Sequence, residues 1–469
     1  MFFVVSGSYI IYLFGLGCLI TNPLLPKNDK QPPLMEKIPL ILTSGFLVNH
    51  LILLLVQSLT FSLFIGGAIS GCSLLWFFMR LEKEFIFDHH KDWLPLVAIA
   101  FILLLYYFTI LYDPLWEWDP RSIWFLHSKM IWSAGSLNLE AGWNHPSIQW
   151  SHVDYPKLIP ALAAQLSHIL GYWNEYAPKF SLFLILIPAI FWIFSFYSRR
   201  FSFLFLVLVF PFGLKNYLLN GWMDGYIAFY SAISVLLLGR YLKERRSIDL
   251  ISALSCLALL SNIKNEGILI GLVVTVSIVI TGILSNTFKL SEFKKYFSLY
   301  RVGWLAVIVT PCILWSVFYK YKWHLVNDLQ IGTTEAFFRM SNRFSDGISF
   351  PLILKETFFH DESAVWLAFT IFLVSIIWLT ISKRYIISWV PALITAIIYY
   401  CCLLIIYLMT PSDLIWHLNT SAPRTMLTIS SCMIAGTFFI LKELEDSLIV
   451  GTYNKDSHLG RDQGTPLNN

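Results

Sequence analysis

Charged residues are scarce in this sequence. Only 13% of the 469 residues are Asp, Glu, Lys or Arg, whereas an ordinary soluble domain has about 25%. Hydrophobic residues make up 57% of the chain, so the composition excludes a typical soluble protein. The net charge of +4 is small and the basic residues are scattered in short clusters, which argues against a nucleic-acid-binding surface.

Signatures of nucleotide and metal binding are also missing. No run resembles the GxxxxGKS or GxGxxG loops that cradle phosphates, so a cytoplasmic nucleotide-sugar donor is not expected. No histidine pair has clear ligand spacing, with His145 and His152 as the weak candidates; no cofactor is indicated, although a divalent cation is left open. The cysteines lie in or beside apolar runs and are interpreted as small buried hydrophobes: Cys18, Cys72, Cys256, Cys312, Cys401, Cys402 and Cys432.

The sequence contains instead a series of long apolar runs. Each has about 17 to 23 residues and can cross the roughly 30 Å hydrocarbon core as a helix, and none alternates as a barrel strand does. We therefore predict an all-α, polytopic transmembrane helical bundle of about thirteen spans. The first run has no cationic n-region and no cleavage site, so it is counted as a span. The spans are 1–20, 38–57, 60–79, 93–112, 178–198, 201–219, 222–239, 248–263, 266–285, 302–319, 364–382, 386–409 and 425–441.

The distribution of Lys and Arg predicts the orientation. Cationic loops stay on the cytoplasmic side, and the basic clusters between the spans all fall on one side. The opposite side receives three outer loops, 113–177, 320–363 and 411–424. Three regions are predicted: an N-terminal three-span extension over 1–92, a catalytic transmembrane domain over 93–441, and a cytoplasmic tail over 442–469 that is partly disordered.

The loop 113–177 is the most unusual part of the chain. Tryptophans are common at membrane interfaces, but aromatic faces beside carboxylates also form platforms for sugar rings, and both interpretations stay open. The pattern over 122–134 predicts an amphipathic helix on the membrane surface, with Ile123, Leu126, Met130 and Ala134 on its apolar face. The segment 155–170 is too short for a span and predicts a half-buried helix under the loop. Seven of the eighteen tryptophans are here: Trp116, Trp118, Trp124, Trp132, Trp143, Trp150 and Trp173.

Acidic residues cluster where the fourth span ends. Asp113, Glu117 and Asp119 lie within seven positions, and partial desolvation at the mouth of a bundle would raise a carboxyl pKa toward that of a useful general base. Further charges adjoin apolar helices: Asp154 in HVDYP, Asp224 in GWMDGYIAF, and Lys264 with Glu266 in KNEG. Such charges cost about 2.5–3.5 kcal/mol each near a helix centre, so they are usually paired or functional.

Six motifs together resemble a known family. In order they are WDPRSIWFLHSKMIW, HVDYPKLIPAL, Glu175 with Lys179, GWMDGYIAFY, KNEG and SAPRTML. This order resembles that of the bacterial GT-C glycosyltransferases related to protein mannosyltransferases and to the lipid A aminoarabinose transferase. The resemblance covers roughly residues 93–440, and the three spans before Trp93 lie outside it.

The resemblance implies a transferase in the bacterial inner membrane with its active site facing the periplasm. A polyprenyl-phosphate-linked sugar would be the donor, and a lipid, glycan or protein hydroxyl the acceptor. Asp119 matches the family's catalytic carboxylate. Many relatives have a second acid directly after it, where this chain has Pro120, so Asp113, Glu117 or Asp154 would have to supply any second carboxylate.

Transfer from a phosphate needs a base on the incoming hydroxyl and cations on the leaving group. Arg424 could equally be an interfacial snorkelling residue, and Arg121 with Lys129 could bind lipid headgroups; the loop 320–363 receives no roles. The candidate phosphate ligands are Arg121, Lys129, Lys157, Lys264 and Arg424. The candidate contacts to sugar or acceptor are Glu117, Trp118, Trp124, His152, Tyr155, Asp224 and Glu266.

Two other functions are compatible with many spans. A transporter or flippase of a lipid-linked or small polar substrate is the main alternative, but such proteins usually have repeated halves and charged sites near the bilayer midplane. An O-antigen ligase or polymerase would favour arginine-rich outer loops. The acidic first outer loop of this chain favours the glycosyltransferase.

Overall fold

The computed structural model describes all residues except 22, 25–32, 85–88, 198–199, 286–297, 328, 330–331, 384–385 and 460–469. Within the described part the regular secondary structure is entirely helical, which confirms the all-α prediction. The helices are α1 Phe2–Thr21, α2 Leu34–Val56, α3 Leu59–Glu84, α4 His89–Tyr112, α5 Phe125–Ala134, α6 Leu158–Leu170, α7 Phe180–Phe194, α8 Phe201–Val207, α9 Lys215–Leu219, α10 Met223–Glu244, α11 Ser247–Ile263, α12 Asn265–Leu284, α13 Leu299–Ile313, α14 Lys320–Lys322, α15 Thr334–Ser345, α16 Ser349–Phe358, α17 Val365–Ile381, α18 Val390–Met409, α19 Leu414–Thr425 and α20 Leu427–Leu459.

Nine of the described helical segments are long and apolar enough to cross a membrane, as an integral membrane protein requires. The other four predicted spans coincide with shorter apolar helices, so the count of thirteen is not confirmed. The run 201–219 shows the reason: α8 passes into a π-helical segment, Leu208–Gly213, that contains Pro211, and proline removes a backbone donor. The four shorter helices are Phe180–Phe194, Phe201–Gly213, Ser247–Ile263 and Val365–Ile381.

Helix α10 forms the centre of the bundle and is buried along its whole membrane-length window. It packs against α7, α11, α12, α18 and α20. Asp224 lies in its first turn, and Arg240, about 24 Å further along a helix of this rise, lies near its other end. There Arg240 pairs with Asp249 at 2.7 Å and with Glu36 at 3.2 Å. The helix therefore joins two separate charged clusters at opposite ends of the bundle.

The predicted outer loop 113–177 is largely helical. Helix α6 occupies Leu158–Leu170 and is buried over most of its length, deeper than the half-buried helix that was predicted. Its Gln165 accepts hydrogen bonds from Tyr9 at 2.8 Å and from Asn49 at 2.7 Å. The first two helices thus pack into the same core as the rest of the chain.

The amphipathic segment 122–134 forms the π-helical turn Pro120–Trp124 followed by α5. The predicted apolar face is wrong, because Ala134 is exposed and Leu126 and Met130 are only half-buried. The buried face instead contains Ile123, His127 and Ile131, four residues apart. Packing against α6 selects this face, which a hydrophobicity pattern alone cannot identify because it includes a histidine.

The other two outer loops also contain helices. Loop 320–363 contains α15 and α16, and loop 411–424 contains most of α19. At the C-terminus, α20 extends through Leu459. Residues 460–469 of the predicted tail lie outside the described residues, so its partial disorder stays a prediction.

Candidate functional site

Asp119 and Arg424 form an ion pair between the first and the last outer loops. The Arg424 Nη1 atom lies 2.6 Å from the Asp119 Oδ2 atom, and both side chains are mostly buried. Asp119 directly precedes the π-helical turn at Pro120, and Arg424 lies in the last turn of α19. Gly221 packs so closely on Pro120 that a Cβ atom there would lie 2.7 Å from the proline Cβ.

The ion pair continues into a chain of charges. Arg424 Nη1 also lies 3.8 Å from Asp224 Oδ2, and the other carboxylate oxygen of Asp224 accepts a hydrogen bond from Lys264 Nζ at 3.0 Å. Lys264 lies 2.9 Å from Glu266 Oε1. We call the series Asp119, Arg424, Asp224, Lys264 and Glu266 the charge chain.

Local structure explains why Lys264 can reach two acids. Its backbone is extended, with φ −151° and ψ 160°, and it interrupts the helical run between α11 and α12. Asp224 and Glu266 lie in the first turns of α10 and α12, where the helix dipole favours a negative charge. Burial alone would lower the pKa of Lys264, but Asp224 and Glu266 outweigh it and raise that pKa well above its usual value.

A second group adjoins the chain at the HVDYP motif. The buried Asp154 carboxylate accepts a hydrogen bond from Asn265 Nδ2 at 2.6 Å and lies 3.5 Å from Lys320 Nζ. Lys320 also donates to Asn265 Oδ1 at 3.0 Å, and the Asp154 carbonyl accepts from Trp315 Nε1 at 3.0 Å. Asn265 lies between Lys264 and Glu266 in the sequence. The contacts among Asp154, Asn265 and Lys320 therefore connect the HVDYP motif to the charge chain.

Tyr155 links the two groups. Its ring stacks on His152, with centroids 4.9 Å apart, and on Trp124, with centroids 5.5 Å apart. Lys264 Nζ lies 5.8 Å from the Tyr155 ring centre. Burial raises the pKa of Tyr155, and the nearby Glu266 carboxylate raises it further. The phenol therefore stays protonated and can donate a hydrogen bond beside the chain.

Two carboxylate oxygens of the charge chain have no hydrogen-bond partner within the described part of the protein. They are Asp224 Oδ2 and Glu266 Oε2, and both are buried. Buried acceptors are usually satisfied. Ligand hydroxyl groups could therefore donate to these two oxygens.

No family model, no curated protein and no solved structure matches this chain. Seven of the residues proposed from the sequence meet in one place: Asp119, Asp154, Tyr155, Asp224, Lys264, Glu266 and Arg424. His152 and Trp124 contribute through the Tyr155 stack.

Lys157 does not belong to the phosphate ligands that the sequence suggested. Its side chain is completely buried, and its Nζ lies 3.1 Å from His127 Nδ1 and donates to the Val153 carbonyl at 2.9 Å. The rings of Trp143 and Trp315 enclose it at 4.4 and 4.9 Å from their centres. A phosphate cannot reach this amine, and burial lowers its pKa well below the usual value.

Arg121 and Lys129 also do not join the charge chain. Both side chains are exposed, and neither makes an ion pair with any residue that the structure describes. The two residues are eight positions apart on helical turns. The buried face of these turns packs against the rest of the protein, so the two side chains point away from it. The phosphate role predicted for them is not supported by their positions.

The remaining predicted residues lie near the start of loop 113–177 and are not part of the charge chain. Asp113 is exposed, and its carbonyl accepts from Lys179 Nζ at 2.6 Å. Glu117 is half-buried. Trp118 is 66% exposed and packs on Trp150 with ring centres 5.7 Å apart. The carboxylate that shares the Arg424 guanidinium with Asp119 is that of Asp224; the role of Asp113, Glu117 or Asp154 as a second catalytic carboxylate stays a prediction.

Sequence reasoning missed three participants. Asn265 stands inside the KNEG motif between two predicted residues. Trp222, in GWMDG, has its ring centre 5.0 Å from the Arg424 guanidinium. Lys320 directly follows the tenth predicted span, on the predicted outer side, where basic residues are few. A lysine at such a position was the signal in the sequence that could have identified it.

A divalent cation finds no ready set of ligands here. In the described residues no group of three or more His, Cys, Asp or Glu converges as metal ligands do. Two acids of the charge chain, Asp119 and Asp224, already interact with the same Arg424 guanidinium. Metal dependence stays an open prediction, and no step below uses a metal.

Proposed function

We propose that this protein is a membrane glycosyltransferase of GT-C type, which transfers a sugar from a polyprenyl-phosphate donor to an acceptor hydroxyl. The observation that carries the proposal is the charge chain. It brings acids and cations from the first outer loop, two helix starts and the last outer loop to one end of an apolar bundle. A lipid-linked substrate can reach such a position from the membrane while a polar acceptor reaches it from water. The resemblance assigns this end to the periplasmic face of the inner membrane.

The reaction is a displacement at the anomeric carbon. The acceptor oxygen bonds to that carbon, the bond from the carbon to the phosphate oxygen breaks, and polyprenyl phosphate leaves with the bonding electrons. The acceptor's proton passes to the Asp119 carboxylate, which acts as general base. Asp119 lies in the first outer loop, and 17% of its side-chain surface remains accessible.

Arg424 and Lys264 would stabilise the leaving phosphate. A guanidinium presents several N–H donors in a fixed plane and can contact a carboxylate and a phosphate together. Arg424 contacts Asp119 closely and Asp224 at 3.8 Å. A phosphate that competes with Asp119 for this guanidinium would free the carboxylate to accept the proton, which couples donor binding to base activation.

The sugar would be held by groups on either side of the two cations. Asp224 Oδ2 and Glu266 Oε2, which make no hydrogen bond to the described residues, can accept hydroxyl protons, and the Tyr155 phenol can donate. Tyr155 packs on two other rings, so its hydroxyl group, and not its ring face, is the part that would meet the sugar. Trp222 beside Arg424 is the better candidate for an aromatic platform.

The alternative of a transporter or flippase places different demands on the site. Transporters hold charged or broken segments near the bilayer midplane, whereas Asp224 lies in the first turn of α10 and Asp119 directly precedes the π-helical turn Pro120–Trp124 of the first outer loop. This difference favours the transferase. A direct assay separates the two functions because a flippase leaves the sugar on its lipid.

The test is reconstitution of the purified protein in liposomes with a panel of radiolabelled polyprenyl-phosphate hexoses and aminopentoses and with lipid, glycan and protein acceptors. The transferase releases label from the polyprenyl lipid, and Asp119→Asn lowers the rate by about 100-fold or more, the size of a general-base effect. Asp113→Asn, an exposed acid outside the chain, is the matched control and keeps activity, and Glu117→Gln has a small effect. Label that changes leaflet while it stays on its lipid would show a flippase instead.

A further inference from the structure

Helix α15, in the loop 320–363, is fastened to the bundle along one face only. Arg339 Nε donates to the Met409 carbonyl at 2.9 Å. Arg343 donates from Nη1 to the carbonyls of Tyr407 at 3.0 Å and Thr410 at 2.9 Å. Ala336, on the same face, is fully buried. This face therefore packs tightly on the end of α18.

These contacts fix the height of α15 relative to a membrane. The last carbonyls of a helix have no intrahelical partner and carry the negative end of the dipole, so two arginines satisfy the end of α18. Helix α18 is one of the segments long and apolar enough to span a membrane. Its last turn consequently marks one boundary of the apolar layer, and α15 lies at that boundary.

A second face of α15 carries exposed aromatic side chains, one of which, Phe344, also packs on Phe350 of α16 with ring centres 5.3 Å apart. Phe337 and Phe344, two helical turns apart, are 52% and 64% exposed. Ile348, in the turn that follows the helix, is also exposed, at 74%. Away from the stripe of Phe337 and Phe344 the exposed side chains are mostly polar, such as Asn342 and Ser345, with one further aromatic, Phe338, at 68% exposure. A helix with an apolar stripe, a polar face and low overall hydrophobicity is typical of membrane interfaces.

We propose that α15 is an interfacial helix whose stripe of Phe337 and Phe344 inserts into the acyl-chain region of a phospholipid leaflet. Continuity with the neighbouring surface favours lipid as the occupant. Helix α18, to which α15 is fastened, exposes Ile397 and Ile405 on a membrane-length apolar helix. The stripe extends this lipid-facing surface to the end of the bundle. The proposal does not depend on the chemistry at the charge chain.

The test places a benzophenone amino acid at single positions of the full-length protein in phosphatidylcholine and phosphatidylglycerol vesicles. Variants carry it in place of Phe344, of Phe337 or, as the matched control about 140° around the helix from Phe337, of Asn342. All three positions are exposed, so each variant should elute in detergent as the unmodified protein does. After irradiation, intact mass spectrometry measures the mass gain of one phospholipid.

We expect the phospholipid mass on the Phe344 and Phe337 variants and only background on the Asn342 variant. Equal lipid adducts at all three positions would overturn the proposal, because the label would then report general proximity to the bilayer. Absence of lipid adducts at both stripe positions would also overturn it. Cross-linked dimers from both stripe positions would identify a second copy of the chain as the occupant.

Discussion

Arg424 and Asp119 are 305 residues apart in the sequence, and a hydrogen bond of 2.6 Å joins their side chains. The same guanidinium nitrogen lies 3.8 Å from Asp224. One cation thus serves two carboxylates from different segments. Because removal of one member of such a group leaves buried charges unpaired, conservative substitutions test its role best.

Arg424→Lys keeps the charge but cannot contact a carboxylate and a phosphate in one plane. We expect the kcat/KM for the polyprenyl-phosphate donor to fall by about 10- to 100-fold, as loss of a bidentate charged contact does, with a smaller effect on acceptor use. The measurement is initial rates over both concentration series. Arg121→Lys, at an exposed arginine of the first outer loop, serves as the control and stays active. An unchanged donor KM in Arg424→Lys would favour a snorkelling arginine.

Gly221→Ala tests whether the turn beside Asp119 needs its close packing. Gly221 has a φ of +86°, and an added Cβ would lie 2.7 Å from the Cβ of Pro120. Gly171→Ala is the matched control, since its φ is +81° and no atom lies within 4 Å of the added Cβ. Both variants lose roughly 1 kcal/mol from the positive φ, measured as the thermal unfolding midpoint in detergent. Only Gly221→Ala should also lower the transfer rate; equal rates in the two variants would show that Pro120 adjusts without moving Asp119.

Lys157→Met tests the assignment of the buried lysine to structure. The substitution leaves the Val153 carbonyl and the His127 ring nitrogen without their donor, which costs about 1–3 kcal/mol. We expect a lower unfolding midpoint and a donor KM within roughly twofold of the unmodified protein. A large rise in donor KM with an unchanged unfolding midpoint would instead support Lys157 as a phosphate ligand.

His127 predicts a dependence of stability on pH. Burial, and secondly the nearby Lys157, lower its pKa well below 6.5 in the folded protein. Above pH 6.5 both states are neutral, and below it the unfolded chain takes up a proton that folded His127 does not. Stability therefore falls with decreasing pH by at most about 1.4 kcal/mol per pH unit from this group.

The measurement compares unfolding midpoints of the unmodified protein and of His127→Gln between pH 7.5 and 5.5. The variant should show a shallower decrease, because glutamine has no proton to take up in this range. Parallel curves for the two proteins would show that His127 titrates normally or that other groups dominate the window.

The part of the candidate site that could be predicted from the sequence consists of residues whose type is unusual for their position. Asp224, Lys264 and Glu266 are charges beside apolar helices, and such charges need partners, so the sequence could single them out. Arg121 and Lys129 satisfied the same criterion, yet their side chains are exposed away from the site. A sequence shows that a charge exists near a membrane but not which way its helix faces.

Lys157 shows the same limit for burial. Its neighbours Asp154 and Tyr155 belong to the site, and the motif gives no indication that the next lysine lies between Trp143 and Trp315. Those rings come from segments 14 residues before it and 158 residues after it along the numbering. Only their packing excludes a ligand from the amine.

Composition and hydrophobic run length by themselves determined that this is an all-α protein with many membrane-length helices, because a bilayer allows only chains that satisfy their backbone hydrogen bonds within each segment. They did not determine the number of spans, because a break such as the one at Pro211 depends on local backbone geometry. The pairing of Asp119 with Arg424, the position of Asp224 beside the same guanidinium and the burial of Lys157 were decided by tertiary structure. Each depends on contacts between segments distant in sequence, and the rotation of one helix against another sets those contacts.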